Sequence, residues 1–103
     1  MSCLNRQAHN AQCRDLILAA TERLDRLRHA VERSGADRRE ELERTLDALR
    51  GLHNRAMARA EAAHMVTDDA WPYARLNADE TIQELVRAMD ALESRLADPP
   101  PRA

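Results

Sequence analysis

From Cys13 onward, apolar positions recur in alternating steps of four and three: Cys13, Ile17, Ala20, Leu24, Leu27, Val31. That spacing holds one stripe on one face of a helix, the heptad seam by which helices pack side by side. Ser34-Gly35 interrupts it, with Gly35 suited to the left-handed residue after a helix C-cap. Asp37, with Glu40 three residues on, supplies an N-cap and its capping-box partner. A second seam runs through Leu42, Leu46, Leu49, His53, Ala56 and Ala60 and ends near Met65-Val66. The stretch from Asp68 to Tyr73 holds both aromatic residues and reads as a connector, in which Asp69 caps a short turn that tolerates Pro72. Asn77-Ala78-Asp79-Glu80 offers another N-cap and capping box, and Ile82, Leu85, Met89, Leu92 and Leu96 form a third seam. Asp98 and the prolines behind it stop that helix.

The pattern predicts three helices, about 3–34, 37–66 and 77–97, in one domain over residues 1–98, with a Pro-rich tail over 99–103. A two-residue turn makes the first two antiparallel neighbours, and the third folds back beside them. The expected fold is an all-α, up-down-up three-helix bundle built on a long helical hairpin. At ~1.5 Å per residue the first two helices run roughly 45 Å and the third about 30 Å. The tip of the hairpin then projects past the third helix, with Leu24, Leu27, Val31, Leu42 and Leu46 uncovered. An apolar patch of that kind marks a protein–protein surface. Two tips paired about a two-fold axis would complete a larger helical bundle, so a homodimer is expected, with a helix from another protein as the alternative partner.

Composition supports the helices. Ala (19) and Leu (13) dominate the apolar fraction, and strand-forming aromatic residues are almost missing. All 16 basic residues are Arg, the composition of a GC-rich, bacterial type of coding sequence, and Arg favours forked contacts. A net charge of -2 with interleaved signs gives no basic face for nucleic acid. No apolar run approaches the ~18 residues that cross a bilayer, and the first residues lack the apolar core of a signal peptide. Cys3 and Cys13 are too far apart along one helix to bridge, so both are expected as reduced thiols in a cytoplasmic protein.

Candidate chemistry gathers at the open end of the hairpin. Counting from the turn sets His9 level with Ala62 and Cys13 level with Ala58, so His9, Cys13, Glu61 and His64 can converge. Two imidazoles, a thiolate and a carboxylate make a shell for a divalent metal, most naturally zinc. Glu61-Ala62-Ala63-His64 also resembles the Glu-x-x-His element by which ferritin-like bundles hold metal. The likeness covers four residues, and the first helix offers no Glu at the facing level. His53 occupies a seam position and is expected near Met89 and Asp90 as a buried, hydrogen-bonded imidazole. His53 and Met57 lie on one helix and cannot ligate opposite faces of a haem. The alanines at 56, 58, 60, 62 and 63 either admit close packing of the third helix or leave room for Trp71 or Tyr73.

Catalysis finds no complete constellation. Cys13 has Arg14 beside it and His9 one turn away, but no third group that orients the base, and two glycines cannot make a phosphate loop. The expectation is therefore a non-catalytic interaction module, whether adaptor, chaperone-like or regulatory. A metal-binding bundle built on His9, Cys13, Glu61 and His64 is the alternative.

Overall fold

A computed structural model describes residues 2–97, with side chains from Asn5 onward. The Cys3 side chain and the expected tail at 99–103 lie outside the described residues. Three helices follow one another: α1 (Ser2–Glu32), α2 (Ala36–Met65) and α3 (Trp71–Ala97). They pack up-down-up into a rod of 60 × 17 × 16 Å. The three-helix bundle expected from the seams is the fold.

The seams form its core. Cys13, Ala20, Leu27 and Val31 of α1 meet Leu42, Leu46, Leu49 and Ala56 of α2 and Ile82, Leu85, Met89 and Leu92 of α3. Large α3 side chains settle against the alanine-rich half of α2, where Ala56 and Ala63 are fully buried, so close packing is the use made of those small residues. Trp71 closes the open end as a buried residue, whereas Tyr73 stands exposed.

Two local expectations are corrected at the first turn. Gly35 is not left-handed; its backbone is extended (φ -63, ψ 152), and it serves as the N-cap of α2. Its carbonyl accepts the N–H groups of Arg38 and Arg39, each at 3.1 Å. Asp37 consequently lies inside the first turn of α2, where its charge complements the helix dipole, instead of capping it.

The larger correction concerns α3, which begins at Trp71 and not near residue 77. Pro72 sits in its first turn, where a missing N–H has no helical partner to lose. The apolar face extends backwards from Ile82 through Ala78 to Trp71, all buried, and that continuous stripe holds the chain helical through Asn77–Glu80. The expected capping box is thus helix interior. With 27 residues, α3 nearly matches the 31 of α1 and the 30 of α2. No bare hairpin tip remains: Leu27 (4% exposed), Val31 (0%), Leu42 (0%) and Leu46 (3%) are core residues of a single chain, and Leu24 is partly buried against them.

Arginines close the helix ends. The last carbonyls of a helix have no partner within it. Arg39 reaches back to the Glu32 carbonyl at the end of α1, and Arg38 Nη2 donates to the Arg95 carbonyl of α3 at 2.6 Å. Arg6 does the same for α2, with Nη2 donating to the carbonyls of Ala63 (3.1 Å), His64 (3.2 Å) and Val66 (2.8 Å). Arg23 ties α1 to α3 through a fork on Asp90 and Glu93.

Gly51 lies in the middle of α2, exposed, with nothing within 4 Å of where a Cβ would stand. Gly51→Ala should therefore stabilise the chain by about 0.8–1.0 kcal/mol, the difference in helix propensity. A rise of several degrees in the thermal midpoint by circular dichroism is the expected result; an unchanged midpoint would place Gly51 outside regular helix.

Candidate functional site

His9 and Cys13 are one turn apart on α1, on the edge that faces α3. Because α3 starts early, Asp79 falls within it at the level of His9. His9 Nε2 lies 2.8 Å from Asp79 Oδ1, and Cys13 Sγ lies 3.4 Å from Nε2 and 3.7 Å from Nδ1. Among the described residues these three are the one group of His, Cys and acidic side chains whose ligand atoms come within 4.8 Å of one another. His9 is 7% exposed and Cys13 4%, while Asp79 is half-buried. Arg75 steadies the second carboxylate oxygen of Asp79 from one turn away, at 3.7 Å.

Trp71 forms the wall beside them. Its ring meets the His9 ring edge to face at 5.9 Å, with the Arg6 guanidinium 5.8 Å and that of Arg75 5.4 Å from its centroid. Its Nε1 is buried with no hydrogen-bond partner.

Burial pushes the Cys13 thiol pKa up, and the negative charge of Asp79 adds to the effect. A thiol in that state is a poor nucleophile at neutral pH. Asp79 supplies beside His9 and Cys13 the orienting carboxylate that sequence reasoning could not locate.

The expected four-residue cluster divides in two. His9 and Cys13 join Asp79; His64 instead accepts a hydrogen bond on Nδ1 from Asn10 Nδ2 at 2.8 Å, and Glu61 stands exposed on the rim of a groove. The division has a geometric cause. His9 faces α3, whereas Glu61 and His64 line the side of α2 that α3 does not cover, and Cys13 stands between the two. His53 also departs from expectation: its hydrogen bond goes to α1 and not to Asp90, and the ring is only partly buried. The Thr21 hydroxyl donates to the Ile17 carbonyl at 2.9 Å, so its oxygen accepts from His53 Nε2 at 2.7 Å.

The groove runs between α1 and α2 and encloses about 610 Å³. Ile17, Leu18, Met57 and Ala60 give it an apolar floor and rims, with Arg14 and Glu61 on opposite sides. Leu18 is 58% exposed and Met57 46%. Cys13 also reaches this groove, so it has the His9–Asp79 pair on one side and the groove on the other.

Sequence reasoning missed Asp79 and Arg6, and named Trp71 only as one of two residues that could fold over the open end. Asp79 was hidden inside the apparent capping box of Asn77 and Glu80. The usable signal was the spacing of Trp71, Ala78 and Ile82, seven and then four residues apart, which carries the third seam past Asn77. No protein-family model, curated protein or solved structure matches the chain. Among the described residues, no helix is long and apolar enough to cross a membrane.

Proposed function

We propose that the chain is a non-catalytic helical interaction module that self-associates through the α1–α2 face. The observation that carries this reading is the open apolar groove, where Leu18 and Met57 remain exposed beside Ile17 and Ala60. Exposed apolar side chains that adjoin one another across two helices are a contact surface in waiting. The hairpin tip has no such part, because its leucines are spent on the core of one chain.

A second copy is the occupant that the charges favour. The Asn10–His64 and Thr21–His53 hydrogen bonds fix α1 against α2, and Arg14 and Glu61 fall at one level between them. Both are exposed, and neither joins an ion pair among the described residues. A two-fold axis parallel to the helices sets α1 of each copy against α2 of the other. Arg14 of one copy then faces Glu61 of the other, twice, around a shared apolar centre. A reducing, cytoplasmic setting belongs to the same reading, since Cys13 is a free, buried thiol.

Sedimentation equilibrium tests this. The protein should be dimeric at about 10 µM, and Leu18→Glu with Met57→Glu should give a monomer of unchanged helicity. Arg14→Glu should weaken the dimer, and adding Glu61→Arg should restore it. A monomeric wild type, or a dimer indifferent to Leu18 and Met57, would overturn the proposal.

A further inference from the structure

We infer that His9, Cys13 and Asp79 form a binding site for one zinc-type divalent cation, a site that meets the proposed self-association face at Cys13 alone. Three chemically different ligands come together here from two helices: an imidazole, a thiol and a carboxylate. Three protein ligands with a fourth position left for water or another donor is the pattern of an open zinc site, and this mixture suits zinc better than magnesium or calcium, which prefer oxygen.

Two of the three ligand spacings are close to what the ion needs. With metal–nitrogen and metal–oxygen bonds of about 2.0 Å and metal–sulfur of about 2.3 Å, tetrahedral ligation sets nitrogen and sulfur roughly 3.5 Å apart and nitrogen and oxygen roughly 3.3 Å. Cys13 Sγ is already 3.4 Å from His9 Nε2. The Asp79 oxygen, at 2.8 Å, has to open by about half an ångström, which a half-buried carboxylate on a helix surface accommodates by a small rotation.

Three surrounding features fit the same role. Arg75 beside Asp79 Oδ2 holds the carboxylate in orientation, the task that outer partners perform for metal ligands. Cys13 lines the α1–α2 groove, which gives an ion a path to the sulfur. The buried Trp71 ring packs edge to face on His9 and holds the imidazole in place beside the other two ligands. Loading the ion removes the thiol proton to solvent and leaves thiolate, imidazole and carboxylate on the metal.

Cobalt(II) is the probe, added to the full chain after removal of metal by chelator. The expected result is one ion per chain, with the near-ultraviolet absorption of a thiolate–cobalt bond and the visible bands of tetrahedral cobalt, both displaced by zinc. Cys13→Ser should abolish the thiolate band, and Asp79→Asn should weaken binding at least tenfold. Both variants should keep their helical circular dichroism, because each is close to isosteric. His64→Ala and Glu61→Gln should leave the titration unchanged. No thiolate band in the folded wild type would overturn the inference, as would a band that survives Asp79→Asn at full affinity or disappears with His64→Ala. The sedimentation result is separable, because Leu18→Glu with Met57→Glu touches none of the three ligands.

Discussion

Leu42→Glu should leave the chain without a cooperative thermal transition, whether or not copies associate. Leu42 is fully buried beside Val31, also at 0% exposure, with Leu27 and Leu46 almost as enclosed. Removing a buried Leu costs roughly 2–5 kcal/mol from lost packing and the cavity left behind. Burying a carboxylate without a partner costs several more, relieved only by protonation or by opening the bundle. A chain of this size has on the order of 5–15 kcal/mol in total, so the combined loss rivals the whole stability. Leu42→Ala, which omits the charge, should retain a cooperative urea transition lowered by roughly 2–5 kcal/mol. A Leu42→Glu protein that stays helical and melts cooperatively as a monomer would return Leu42 to the surface and revive the hairpin tip as a docking face.

The contrast between that tip and the α1–α2 groove shows what periodicity can and cannot tell. Heptad spacing located the buried stripe of each helix, and those stripes are the core. Lengths were less legible, because helix ends are set by local chemistry that several residues can imitate. Asn77-Ala78-Asp79-Glu80 has the form of a capping box, yet the apolar stripe continues behind it to Trp71 and overrides the local preference. That one boundary moved two conclusions. It removed the length mismatch that exposed Leu27 and Leu42, and it carried Asp79 to His9. The candidate site was half legible for the same reason: His9 and Cys13 share a face by spacing alone, but their third partner depended on where α3 began.

The two weaker corrections have a related origin. Gly35 was read for its freedom to turn left-handed, whereas the turn uses it as an extended N-cap whose carbonyl accepts two amides. His53 lies at a seam position between two neighbours, and spacing along one helix does not say which neighbour it meets. The choice falls to α1 because Thr21, already donating to its own helix, leaves an oxygen free to accept from the imidazole.

The absence of lysine in the sequence finds its use at the helix ends, and Arg6 is where removal should be felt most. Arg6→Ala should lower the stability by about 2–3 kcal/mol, the range for losing hydrogen bonds to a charged donor where the acceptors are partly enclosed. Its side chain is 14% exposed and one nitrogen serves three carbonyls at the end of α2, where the dipole favours a cation. The Asp68 pair at 2.8 Å adds little, since that carboxylate is 76% exposed. Arg6 also stacks on Trp71, the single tryptophan, so its loss should let water reach the indole and shift the fluorescence to the red. Arg6→Lys keeps the charge but loses the fork that spans Asp68 and the carbonyls together, and should recover less than half of the loss. Urea denaturation followed by tryptophan emission and circular dichroism reads both effects. Full recovery with lysine would reduce the role of Arg6 to its charge. An Arg6→Ala protein as stable as the wild type would mean that water, not this side chain, satisfies the end of α2.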